Sequence, residues 1–191
     1  MRLFVDTEFT DLLECELLSI GIVSENGQEF YAESSDTDWT KSGDFARAAV
    51  LPKLRALGAN VFSETELSQR LRTWLTSLAQ GEQIVVSVDH PTDWEFFVYL
   101  ARDPETLEMP PHIKGQSIRG CVDPRDIEAY WSKHGRHAHH ALHDARAIKY
   151  AFDEACSRDA SKRLTALAGN ASRMVDISRL RDETSGDADP E

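Results

Sequence analysis

Asn26-Gly27, set between two stretches of β-prone sequence, constrains this chain more than any other pair of residues in it. Both residues accept positive φ, as a two-residue hairpin turn requires, so the flanking segments at residues 16–24 and 28–33 must pair antiparallel. A short apolar strand at residues 2–6 precedes this hairpin, and the run Gln83-Ile84-Val85-Val86-Ser87-Val88 reads as a buried strand. Helical signals alternate with these strands. Ser63-Glu64-Thr65-Glu66 is a capping-box pattern opening an amphipathic helix to about residue 78, and Thr92-Asp93-Trp94-Glu95 repeats it ahead of a helix through residue 100. Asp123-Pro124, a cap followed by proline, opens a helix to about residue 133, and a strong final helix spans residues 140–155. Residues 34–43 read as loop, residues 45–57 as a helix interrupted at Pro52, and 160–180 as ambiguous, with one more helix near 171–180. An early hairpin followed by alternating helices and a buried strand predicts an α/β layered domain with a mixed central sheet.

The 191 residues suit one domain, residues 1–180, with a short acidic tail at 181–191 that has no apolar anchor and reads as disordered. No apolar run approaches the ~18 residues of a membrane span and no signal-peptide pattern opens the chain, so it reads as cytoplasmic. Cys15, Cys121 and Cys156 form no CxxC pair, which argues against a disulfide framework and predicts reduced, mostly buried thiols. The net charge of −12 disfavours a protein that grips long duplex with its whole surface. Any nucleic-acid contact must be local and helped by bound cations.

Three acidic features carry candidate chemistry. In Phe4-Val5-Asp6-Thr7-Glu8-Phe9, Asp6 and Glu8 are two apart on a strand and so point to one side. Paired carboxylates are costly unless a cation sits between them, and hard divalent ions are the usual occupant, although two solvated acids at a strand end are the plain alternative. Asp93 stands at a helix start, where the helix dipole alone favours an acid. His139 and Asp144, in His139-His140-Ala141-Leu142-His143-Asp144-Ala145, can both address one site above a helix N-terminus. The five histidines between 134 and 143 admit a zinc cluster instead, since His139 and His143 are four apart, but no cysteine or HExxH partner completes it.

Taken in order, these features resemble the DEDDh family of 3′–5′ exonucleases, and within it the compact bacterial exoribonucleases called RNase AS. The likeness covers residues 1–155 and includes the opening Asp-Thr-Glu-Phe, the hairpin sequence and Val-Leu-Pro-Lys-Leu at 50–54. It implies a ribonuclease H-like fold with helices on both faces of the mixed sheet, and hydrolysis of single-stranded RNA from its 3′ end to nucleoside 5′-monophosphates, with adenylate-rich ends favoured. Asp6, Glu8, Asp93 and Asp144 would hold two Mg²⁺ ions, replaceable by Mn²⁺, and His139 would act as general base. Many family members carry asparagine where this chain has Asp89, so Asp89 is either a supporting hydrogen-bond partner or a rival to Asp93 as ligand. Phe9 would stack on the terminal base or pack in the core. Thr7 and Arg136 complete the candidate substrate contacts, Arg136 as part of a basic rim with Lys133 and Arg146, or as ordinary surface charge. Homodimerisation is common in the family. A DNA exonuclease of the same family, or a non-catalytic nucleic-acid-binding module on the same fold, are the alternatives.

Overall fold

The computed structural model describes residues 1–13, 15–55, 60–79 and 81–182. The chain falls into two compact units, Met1–Phe152 and Asp153–Glu191. The first holds every motif residue named above. The acidic stretch beyond residue 182 lies outside the described residues.

Six strands form one mixed sheet. In chain order they are β1 (Arg2–Phe9), β2 (Leu17–Ser24), β3 (Glu29–Ser34), β4 (Val61–Phe62), β5 (Ile84–Val88) and β6 (Ile113–Ser117). Their order across the sheet is β4-β3-β2-β1-β5-β6. β2 and β3 pair antiparallel as predicted, but the connection is not the expected two-residue turn. Residues 25–28 join the strands, only Gly27 of these takes positive φ, at 81°, and its amide donates to the Ser24 carbonyl. β1 pairs antiparallel with β2 on one side and parallel with β5 on the other. This mixed α/β sheet is the fold class the sequence predicts and is consistent with a ribonuclease H-like fold.

Helix α1 (Glu64–Ala79) and helix α2 (Pro91–Ala101) cover one face. Leu67, Leu71 and Leu75 of α1 and Phe97 and Leu100 of α2 pack on Leu3, Val5, Ile20, Ile22 and Val86. Each such side chain contributes roughly 1.5–3 kcal/mol when buried. Helix α3 (Pro124–His134) and the beginning of helix α4 (Ala141–Asp182) lie against the other face. There Phe4 meets Ile118, Ile148 and Phe152, while Val23 and Tyr31 meet Ala141, Leu142 and Ala145. With both faces covered, all eight residues of β2 are buried, which explains its nearly unbroken apolar sequence.

Several local predictions needed correction. β1 does not stop at Asp6 but continues to Phe9, because β2 goes on offering partners as far as Leu17, opposite Phe9. The interrupted helix at 45–57 is a π-helical turn, Ala46–Val50, followed by a 3₁₀ turn, Leu51–Lys53, with Pro52 in it. A 3₁₀ turn, Trp39–Lys41, lies inside the predicted loop. The last helix extends far beyond residue 155. All three cysteines are free and exposed, not buried. No helix among the described residues is long and apolar enough to cross a membrane.

One contact places the start of α4 beside the paired acids. Gly21 stands opposite Asp6 in the β1–β2 register. A β-carbon on Gly21 would lie 2.3–2.4 Å from backbone atoms of Ala141 and Leu142. Only glycine lets the helix approach this closely, since the clash would be with backbone and not with a flexible side chain. Gly21→Ala is therefore expected to lower the urea midpoint, by about 1–3 kcal/mol in stability, the usual cost of forcing atoms into a packed interior. An unchanged midpoint would show that the helix start has room to move.

Candidate active site

The site forms where β1, the end of β5, the first turn of α2 and the entry to α4 converge. Asp6 and Glu8 lie on the same side of β1 as Phe4, as the strand's two-residue period dictates. Beyond Val88 the chain leaves the sheet at Asp89, and the His90 side chain caps α2 by accepting from the Thr92 amide. Pro91 follows in the first turn, where its missing N–H costs nothing. This places Asp93 one turn into α2 with its side chain almost wholly buried.

Two hydrogen bonds fix Asp93. The Thr7 amide and hydroxyl both donate to Asp93 Oδ1, at 3.0 and 2.7 Å. Asp93 Oδ2 is buried with no hydrogen-bond partner. An orphaned carboxylate oxygen in the interior is expensive unless something positive meets it. At the entry to α4, His139 adopts a left-handed backbone, φ 64°, and its amide donates to Asp144 Oδ2 at 2.7 Å. Asp144 thus reaches back over the helix start, as an acid near an N-terminus is favoured to do.

Two groups of donor atoms result. Carboxylate oxygens of Asp6, Asp89 and Asp93 lie within 4.8 Å of one another, and so do atoms of Glu8, His139 and Asp144. All five predicted residues are therefore drawn into two clusters, and Asp89 joins Asp93 instead of standing apart from it. Crowding and burial show in the acidities. Burial, then Asp93, Asp144, Glu8 and Asp89, hold the Asp6 carboxyl well above the ordinary carboxylate range. Burial and the neighbouring Asp144 push Glu8 up to about 8, with the Lys53 cation opposing. Burial also raises Asp93 to about 7, against the pull of the Thr7 hydrogen bonds, and Asp144 to about 6, against its bonds from the His139 and His140 amides. Burial raises Asp89 as well, and five carboxyl groups that resist ionisation, beside an unpartnered oxygen, fit a site able to hold cations. The donor set, oxygen throughout except for one imidazole, suits hard ions such as Mg²⁺ or Mn²⁺ over Zn²⁺.

His139 is exposed, with its ring edge-on to Phe45 at 4.9 Å. Burial, Lys53 and Arg136 all lower its pKa, so the imidazole is neutral at pH 7. Its neighbours have other surroundings. His140 is buried and stacked on Tyr31 at 4.7 Å, and His143 stacks on His137 at 4.7 Å. His139 shares its donor group with Glu8 and Asp144 and not with His143, so the four-residue spacing considered for zinc does not converge.

The remaining candidates divide. Phe9 packs near His90 and Phe96 at the margin of the site. Thr7 is buried, and its hydroxyl is given to Asp93. Arg136 is exposed and paired with Glu128 at 3.0 Å, although its charge still reaches His139. Arg146 holds Glu29 through two bonds of 2.7 Å, and Lys133 donates to the Tyr150 hydroxyl. Sequence reasoning missed Lys53. Its ammonium donates to the Ala138 carbonyl, and its charge bears on Glu8, His139 and Asp144. The resemblance at Val-Leu-Pro-Lys-Leu marks the segment but not the contact, because by its residues alone a lysine in a broken helix looks like any surface cation.

No family model matches this chain. The chain is similar to two 3′-5′ exoribonucleases. Both are from Mycobacterium tuberculosis, one from strain CDC 1551 / Oshkosh and one from strain ATCC 25618 / H37Rv. Each is 51% identical to it over 55 residues, which is 28% of this chain and 33% of the relative. The chain thus spans about a third of the length of the curated relatives it matches.

The raised carboxyl pKa values carry a test that does not depend on turnover. Glu8, Asp93 and Asp144 bind protons more tightly folded than unfolded. Their contribution is complete below about pH 4, the unfolded carboxyl value, and is lost as pH rises through about 6, 7 and 8. In EDTA, thermal midpoints should fall from pH 5 to pH 8, and Glu8→Gln should make that fall smaller. Added Mg²⁺ should restore the parent's stability at pH 8. Parent and variant falling in parallel would mean that Glu8 is not under electrostatic stress.

Proposed function

We propose that this chain is a divalent-metal-dependent 3′–5′ exoribonuclease of the DEDDh type. It would hydrolyse single-stranded RNA from its 3′ end to nucleoside 5′-monophosphates. The observation that carries the reading is the pair of donor groups, Asp6–Asp89–Asp93 and Glu8–His139–Asp144, one of which contains an exposed imidazole. The RNA preference draws on the names of the two partial relatives and on the RNase AS-like segments, which also suggest adenylate-rich ends.

Asp6, Glu8, Asp93 and Asp144 would hold two Mg²⁺ ions, with Mn²⁺ able to substitute. Asp93 is the better ligand candidate than Asp89, because Thr7 fixes one of its oxygens and leaves the other free and buried. When bound, such ions supply positive charge to the phosphate oxygens and acidify a coordinated water. The protein's own part is to place groups and move a proton. His139, neutral at physiological pH, accepts the proton of the attacking water at a ring nitrogen. Asp144, in the same donor group within 4.8 Å, stabilises the imidazolium that results, and the ring's exposure lets it return the proton to solvent. Phe9, at the margin, offers an aromatic face to a terminal base.

Matched single-stranded RNA and DNA oligonucleotides, incubated with the purified protein, test the reading. RNA should shorten stepwise from the 3′ end with Mg²⁺ or Mn²⁺ present, and cleavage should stop in EDTA. Undiminished cleavage after thorough metal removal would end the metal-dependent reading, and faster cleavage of DNA would reassign the substrate.

His139→Ala should lower the single-turnover rate by about 10²- to 10⁴-fold, the usual loss for a positioned base. His140→Ala and His143→Ala should stay within several-fold of the parent rate. Mn²⁺ affinity, read by calorimetry, should survive in the His139 variant. A near-normal rate, or lost metal binding, would remove His139 from this role.

A further inference from the structure

The peptide joining Ala138 to His139 is held at both ends by opposite charges. Its carbonyl accepts from the Lys53 ammonium, while its N–H donates to Asp144 Oδ2 at 2.7 Å. Charge-assisted bonds of this kind are the stronger class of hydrogen bond, and two of them on one peptide fix its plane. The plane matters because His139 is in the left-handed region, φ 64°, which side chains other than glycine rarely adopt. Histidine tolerates this region better than most side chains, but it remains uncommon there, so tertiary contacts are needed to hold it. Phe45 meets the imidazole edge-on at 4.9 Å, and both Phe45 and Lys53 belong to the segment around the π-helical turn.

We infer that Lys53 is a positioning residue, whose bond to the Ala138 carbonyl, opposite the bond from His139 N–H to Asp144, sets the backbone that aims the His139 ring. The inference rests on the general-base reading of His139 proposed above. Lys53 acts through the peptide and not on RNA. Its side chain is half-buried and directed at the Ala138 carbonyl, and its charge also falls on Glu8 and Asp144 from the side of that loop. A misplacement of about 1 Å in a catalytic group can cost 10²-fold in rate, so loss of this anchor should be costly without any substrate contact being lost.

The test compares Lys53→Met, which keeps the length of the side chain and removes the donor, with Lys53→Arg, which keeps a donor. Lys53→Met should lower kcat about 10- to 100-fold with KM within twofold, as expected when a group is mis-aimed and not when binding is lost. Lys53→Arg should recover most of that loss. In a His139→Ala background, Lys53→Met should have no further effect, because its action passes through the imidazole. Amide hydrogen exchange at His139, read by NMR on the metal-free protein, should quicken in Lys53→Met while the amides of β1 to β3 remain protected.

A rise in KM, or full additivity of the two substitutions, would overturn the inference in favour of a direct phosphate contact. Unchanged His139 amide exchange would overturn it whatever the rates. If His139→Ala alone left the rate intact, the general-base reading would fail, and the amide exchange would still decide whether Lys53 holds the peptide.

Discussion

Burial of a cluster of carboxyl groups at the end of β1, with their mutual repulsion added to it, is the constraint around which this structure is organised. Asp6, Glu8, Asp89, Asp93 and Asp144 come from four separate segments, and the fold presses them together with most of their surface removed from water. Such a cluster cannot be accounted for by its internal hydrogen bonds, which satisfy only part of the oxygen surface. Thr7 meets one side of Asp93, and the His139 amide meets one oxygen of Asp144. What remains is a shortage of positive charge that Lys53 relieves only in part. Stress of this kind clusters at functional sites, and the cation-binding role proposed above would relieve it.

The scaffold keeps the stress local. β1 is central, flanked by β2 and β5, so its backbone has no freedom to splay and move the acids apart. Helices on both faces bury the strand above the site, and Gly21 lets the entry of α4 rest directly on the sheet beside Asp6. The site sits at the carboxyl ends of the parallel pair β1 and β5, the location where open α/β sheets generally place ligands.

Much of this was legible in the sequence, and the rest was not for identifiable reasons. The hairpin, β5 and the starts of α1 and α3 announce themselves through turn residues, apolar runs and caps, all of them local signals, whereas α2 starts at Pro91 with His90 as its cap, ahead of the Thr92 capping box expected from sequence. β6 was missed because Ile113 is its one buried residue and Lys114-Gly115-Gln116-Ser117 carries no alternation, while β4 is only two residues long. The candidate acids were legible because strand and helix periods project them to one side at known spacings. Lys53 was not, because its importance comes from a bond to a carbonyl 85 positions away, and no periodicity encodes such a contact. Asp89 was half legible: its proximity to Asp93 in sequence was plain, but its membership of the same donor group is a matter of how the chain turns after Val88.

The bond between Thr7 and Asp93 links residues 86 positions apart across the parallel pairing of β1 with β5. The hairpin can form from neighbouring sequence alone, but the β1–β5 pairing must wait for the long crossover that carries α1. Before that closure Asp6 and Glu8 have only each other to repel, and the pocket does not yet exist. The Asp6–Asp89–Asp93 group can therefore assemble only once this crossover has closed, and an ion held there, as proposed above, would report that closure.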